Sequence, residues 1–95
     1  MDKYELVVIV DANLSQQEKE AICKECGDVI AKSDGKVLNS QVWLDKYKMS
    51  FRMKKCWEAT FYLMNFEGLR SGIAKMRQLF KLHEKILRFL IIRVE

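Results

Sequence analysis

The 95-residue chain contains no proline and only four glycines. Without proline there is no polyproline-type recognition segment and no stiff proline linker. The glycines stand at 27, 35, 68 and 72, too scattered for the clustered loop that cradles a phosphate. Histidine occurs once, His83, in the sequence KLHEK. It reads as a solvated turn residue. With no paired carboxylates and no nucleophile elbow beside it, the chain lacks the convergent groups of an acid–base or covalent catalyst. Enzymatic turnover is not expected. No apolar run approaches the roughly 20 residues that span a bilayer; residues 89–92 are a strand-sized run. Asp2, Lys3 and Glu5 interrupt any signal-peptide pattern at the start, so the expected location is cytoplasmic.

Three cysteines are too few, and too irregularly placed, for a disulfide framework. Cys23 and Cys26 have CxxC spacing inside a helical pattern. Metal and redox pairs of this kind sit at loops or helix starts, and no second Cys or His pair completes a zinc site. Cys23, Cys26 and Cys56 are therefore expected to be neither metal ligands nor disulfide partners, and no cofactor is implied.

What the chain does have is segregated charge. Residues 1–34 hold four cations against eight acids, a net of −4; residues 35–95 carry +8. Such segregation suggests an anionic partner for the basic part, with nucleic acid the usual one. The sharpest basic feature is KYKMSFRMKK, residues 46–55. Lys46, Lys48, Arg52 and Lys54 alternate with Tyr47, Met49, Phe51 and Met53, the period of a β-strand. That puts a cationic row on one strand face, suited to phosphates, with Lys55 beside it. The plain alternative is a solvated edge strand, where lysines prevent aggregation.

Hydrophobic periodicity divides the chain into six elements. Residues 4–11, YELVVIVD, are β-branched and apolar on both faces, as in a central strand. Ser15 and Glu18 form a capping box with Leu14 at the staple position. Ile22, Cys26, Val29 and Ile30 then follow at helical spacing. The helix is expected to end at Ser33-Asp34-Gly35, with Gly35 as a left-handed cap. Residues 36–54 read as one long strand bent near Leu44 and Asp45. Residues 57–67 read as a third strand, residues 69–82 as a second helix with Ser71 a candidate cap, and residues 86–94 as a fourth strand.

The order βαββαβ predicts a single α+β domain over residues 1–95. Its fold class is ferredoxin-like, a four-stranded antiparallel sheet with two helices on one face. The expected core holds Leu6, Val8, Val10, Ile22, Cys26, Val29, Met64, Phe66, Ile73, Met76, Phe89 and Ile91. The opposite phase carries Glu5, Val7, Ile9, Phe61, Leu63, Leu90 and Ile92, with Asn65, Arg88 and Asp11. This is an uncovered apolar sheet face rimmed by charge, the signature of a protein partner. Trp43 and Trp57 could stack on bases, but tryptophans near strand ends are expected to bury against neighbours. Tyr4 is expected to be a core residue, the alternative being a nucleic-acid contact beside Lys3 and Arg88.

Several segments resemble one family over essentially the whole chain. MDKYELVVIVDANLS resembles the first strand and following turn of the sixth protein of the bacterial small ribosomal subunit. DGKVLNSQVW resembles that family's second strand. FYLMNFE, residues 61–67, and ILRFLIIRVE, residues 86–95, resemble its third and fourth strands closely. Residues 43–54 depart from the family's W-G-x-R-x-L-A-Y-P-I-x-K pattern: Leu44 or Asp45 stands in the glycine's place, Arg52 replaces the proline, and the spacing is longer by one residue.

The resemblance implies binding rather than catalysis. It implies a ribosome-associated protein that holds the central domain of small-subunit ribosomal RNA as a heterodimer with the small basic eighteenth protein of that subunit. Lys46, Lys48, Arg52, Lys54 and Lys55 would then neutralise phosphates, flanked by Lys3 and Arg88, while the open face takes the protein. Many family members run on past the last strand into a tail that helps hold the partner. Because this sequence stops at Glu95, more of that task is expected to fall on the open face. An RNA-recognition-motif domain shares the element order, but WEATFYLMNFE lacks that family's glycine- and aromatic-bearing box. A non-catalytic protein-interaction domain is the remaining alternative.

Overall fold

A computed structural model describes residues 2–53 and 56–94, and for residues 46, 49–53 and 56 the backbone alone. The elements run β1 (Asp2–Asp11), α1 (Gln16–Lys32), β2 (Lys36–Met53), β3 (Cys56–Gly68), α2 (Arg70–Lys81) and β4 (Ile86–Arg93). The strands form one sheet in the order β2-β3-β1-β4, antiparallel throughout. This is the ferredoxin-like arrangement that the element order predicts.

β1 takes an inner position because both its faces are apolar. Tyr4, Leu6, Val8 and Val10 point to the helices and pack with Ile22, Cys26 and Ile30 of α1. Met76 and Phe80 of α2, Tyr62, Met64 and Phe66 of β3, and Ile86 and Ile91 of β4 complete the core. Val29, Ile73 and Phe89 pack against it from partly buried positions. Burying side chains of this size stabilises the fold by about 1.5–3 kcal/mol each. Tyr4 is a core residue, with its ring stacked on Phe66 at 5.4 Å.

Both ends of α1 follow from local chemistry. The Ser15 hydroxyl accepts the Glu18 N–H at 3.1 Å and donates to the Glu18 carboxylate at 3.2 Å. At the other end Asp34, not Gly35, takes the left-handed conformation, with φ 62°. The Asp34 N–H donates to Ala31 O and the Gly35 N–H to Ile30 O, a Schellman closure. Gly35 is needed for space instead: a Cβ there would lie 2.7 Å from an Ile30 methyl and 3.0 Å from Glu67 O. Aspartate tolerates the left-handed region better than most residues, which frees glycine for the close approach.

α2 spans Arg70–Lys81, within the expected 69–82, but its cap is not Ser71. Leu69 is its N-cap and Ser71 lies inside the helix, making no cap. Gly72 lets the first turn press against α1: a Cβ at this position would fall 2.5 Å from Ser33 O. His83 is not a free turn residue. Its ring is mostly buried, Nε2 meets the Glu25 carboxylate of α1, and Nδ1 accepts the Lys85 N–H at 3.3 Å. The turn is thus clasped to α1 by His83–Glu25 and by Lys85–Glu18 at 3.4 Å.

β2 is long and irregular. Its register with β3 shifts between Val37 and Asn39, Val42 and Leu44, Leu44 and Tyr47, and Lys48 and Met53. β1 ends with Asp11 opposite Ala59, yet the β2–β3 ladder continues through Lys48–Glu58 to Met53–Cys56. The hairpin therefore runs past the body of the sheet as an arm.

Candidate functional site

Among the described residues no helix covers the second face of the sheet. Register places Val7 between Leu63 and Leu90, and Ile9 between Phe61 and Arg88. Val7, Ile9 and Ala59 are buried only by their neighbours, with Phe61, Leu63 and Leu87 packed around them. Leu87 joins this cluster because the β1–β4 register slips between Ile9 and Val10. Further out, Leu90, opposite Val7, and Ile92, opposite Glu5, are 53% and 46% exposed. These residues border a depression of about 480 Å³ with Glu5 and Arg88 at its rim.

Sequence reasoning missed the aromatic wall of this depression. Trp43 and Trp57 are not buried against neighbours but 54% and 56% exposed. The Trp43 ring meets the edge of Phe61 at 6.1 Å, and Tyr47 meets it at 5.6 Å. Trp43 and Tyr47 thus both stand on the open face. The register shifts on either side of Leu44 put them there, and no period-2 count could foresee that.

The same irregular stretch turns Asp45 to the helix side. Its carboxylate accepts the buried Thr60 hydroxyl at 3.0 Å and lies 3.9 Å from Nζ of Lys19. Lys19 is almost fully buried, so an α1 ammonium, a β2 carboxylate and a β3 hydroxyl pin the base of the arm. The spacing of Lys19 within α1 carried no signal of this, because its partner is 26 positions away in the sequence and meets it only after folding.

The cations named from sequence occupy separate places. Lys48 is exposed on the arm opposite Glu58, one residue from Tyr47 and so on the other face of the ribbon. Arg88 lies on the open face opposite Ile9, at the β4 edge. Lys3 is exposed at the far end of β1, opposite Glu67. The side chains of Lys46 and Arg52, and residues Lys54 and Lys55 altogether, lie outside the described residues.

Cys23 and Cys26 lie mid-helix, as expected, with free thiols. Burial, reinforced by the nearby Glu20 carboxylate, pushes Cys23 up to about 11. Burial also pushes Cys26 up to about 12, helped by Cys23 and Glu25. Thiolates are thus suppressed at neutral pH. Cys56 lies outside the described side chains.

Fold and open face together define a ferredoxin-like α+β protein with an uncovered apolar sheet. The structure of 30S ribosomal protein S6 from Thermotoga maritima has this fold, with a TM-score of 0.86 over 97% of this chain and 86% of that one, at 18% identity. Small ribosomal subunit protein bS6 of Micrococcus luteus is 32% identical over 95 residues, which cover all of this chain and 93% of that protein. The Heliobacterium modesticaldum protein of the same name is 28% identical over 93 residues, 98% of this chain and 96% of that one. The Beijerinckia indica protein is 33% identical over 95 residues, but the chain spans only 62% of its length. The family profile described as ribosomal protein S6 matches residues 3–93. The chain belongs to the ribosomal protein S6 family of the small ribosomal subunit, a family of structural ribosomal proteins rather than of enzymes.

Proposed function

We propose that this protein works in the cytoplasm as a structural, non-catalytic part of the small ribosomal subunit, binding the central domain of its RNA together with the eighteenth small-subunit protein. The open face takes the protein partner through Val7, Ile9, Phe61, Leu63, Leu90 and Ile92, with Glu5 set to meet a partner cation. Lys46, Lys48, Arg52, Lys54, Lys55, Lys3 and Arg88 supply phosphate contacts. The observation that carries the protein half is the run of exposed Leu90, Ile92 and Trp43 around one depression, with Tyr47 packed on its Phe61 wall, since a monomer rarely leaves such an apolar patch in water. Acidic Glu5 and Asp11 on the same face speed encounter with a basic partner more than they add affinity.

The test is Leu90→Asp. Leu90 is half exposed, so the variant is expected to fold normally and to lose the heterodimer in a pull-down with the eighteenth protein. A folded variant that still binds would move the interface elsewhere. A second reading, that the open face stacks RNA bases, draws on the Trp43–Phe61–Tyr47 cluster. Trp43→Ala separates the two: it weakens protein binding in the absence of RNA on the first reading, and only RNA binding on the second.

A further inference from the structure

The two helices carry their charge very differently. α1 mixes Glu18, Glu20, Glu25 and Asp28 with Lys19, Lys24 and Lys32. α2 has Arg70, Lys75, Arg77 and Lys81 and no acid at all. Two of these cations are used within the fold: Arg70 binds Asp2 at 2.7 Å and Lys75 donates to Lys32 O at 3.3 Å. Arg77 and Lys81 are exposed and make no ion pair among the described residues. They stand four apart, where like charges repel along a helix. The last-turn dipole favours Lys81 but offers nothing to Arg77 one turn earlier.

Their position gives this repulsion a use. Ala74, Arg77, Gln78 and Lys81 form one helical stripe facing Phe89 of β4 across a groove of about 470 Å³. Lys81 and Phe89 also border a second hollow of about 250 Å³, shared with Arg88. Arg88 in turn borders the open-face depression, and it too is unpaired among the described residues. Three free cations therefore trace one continuous path from α2, round the β4 edge, to the rim of the apolar face.

We infer that this path is a second RNA-backbone contact, in which Arg77, Lys81 and Arg88 hold successive phosphates of one RNA strand lying along the β4 edge. The inference rests on the RNA-binding reading above and locates a surface distinct from the β2–β3 arm. Phosphate fits better than an acidic protein. The exposed side chains lining the groove are Ala74, Arg77, Gln78 and Lys81; its one aromatic, Phe89, is partly buried against the core, and the exposed Leu82, Leu90 and Ile92 lie outside its lining. Protein interfaces are anchored by buried aromatic or aliphatic groups, whereas phosphate contacts need little beyond positive charge and donors.

The test compares the full chain, with its eighteenth-protein partner present, against Arg77→Gln/Lys81→Gln. Affinity for a transcript of the rRNA central domain is measured between about 50 and 200 mM salt. Each lost phosphate contact should flatten the log-affinity against log-salt slope by roughly 0.7–0.9. Adding Arg88→Gln should flatten it once more, and Arg77→Lys should keep the original slope. Circular dichroism is expected to be unchanged, since both α2 side chains are exposed. If the unsubstituted protein binds the transcript and the double variant matches it in affinity and slope, the inference is overturned while the RNA reading stands. If the unsubstituted protein does not bind the transcript, both fall. If the double variant loses the eighteenth protein in the absence of RNA, the patch belongs to a protein interface and the inference is overturned.

Discussion

Val7 and Val8 are neighbours on β1, both buried, and for different reasons. Val8 lies under two helices with Leu6, Val10 and the core of α1 and α2 around it. Val7 is shielded only by the side chains beside it on the sheet, and its cluster runs out into the exposed Leu90 and Ile92. One face is finished by the chain itself. The other stays open among the described residues. Burial of a single residue therefore says little about whether a face is core or interface; what covers it is the informative quantity.

The contrast is sharpest in stability. Ile22→Ala, on the covered face, is expected to cost about 2–5 kcal/mol, a large share of a small domain's stability. Leu90→Ala, on the open face, should cost less than about 0.5 kcal/mol. Urea unfolding of the two variants measures both, and equal losses would erase the distinction between the faces. The partner assay with Leu90→Asp then reads the same contrast in the opposite direction.

A smaller effect tests the place where β2 passes between the two faces. Asp45→Ala removes the acceptor of Thr60 and the counter-charge of buried Lys19, so it should destabilise by about 1–3 kcal/mol. Asp45→Asn keeps the Thr60 hydrogen bond and is expected to lose less. Equal stability of Asp45→Ala and the unsubstituted protein in thermal unfolding would mean that the clasp is unimportant to the arm.

The smallest effect concerns reactivity on the covered face. In a Cys56→Ser background, Cys23 and Cys26 should react with a disulfide reagent far more slowly than free cysteine at pH 7. The rate should climb steeply as pH rises toward the elevated values of about 11 and 12. Rapid labelling at neutral pH under native conditions would show that α1 does not shield them.

Much of this was legible from residue order. The six elements, the capping box of Ser15 and Glu18, and the two phases of β1 and β3 follow from local chemistry and from periods of 2 and 3.6, which act over a few residues. Regular β1 let one count assign Val7 and Val8 to opposite faces correctly. β2 defeated the same count because its register slips four times, and each slip can reverse the faces of all that follows. Trp43 and Tyr47 therefore reached the open face unannounced.

The sequence alone determined the element order, the apolar phase of each regular strand and the uneven distribution of charge, because these are properties of neighbours along the chain. Tertiary structure decided the rest. It brought Lys19 to Asp45 and Thr60, clasped His83 to Glu25, turned Trp43 and Tyr47 onto the open face and lined up Arg77, Lys81 and Arg88 around one edge. Those pairings join residues far apart in sequence. Their contacts depend on bulges, on helix docking and on the close approaches permitted at Gly35 and Gly72, none of which is encoded by spacing along the chain.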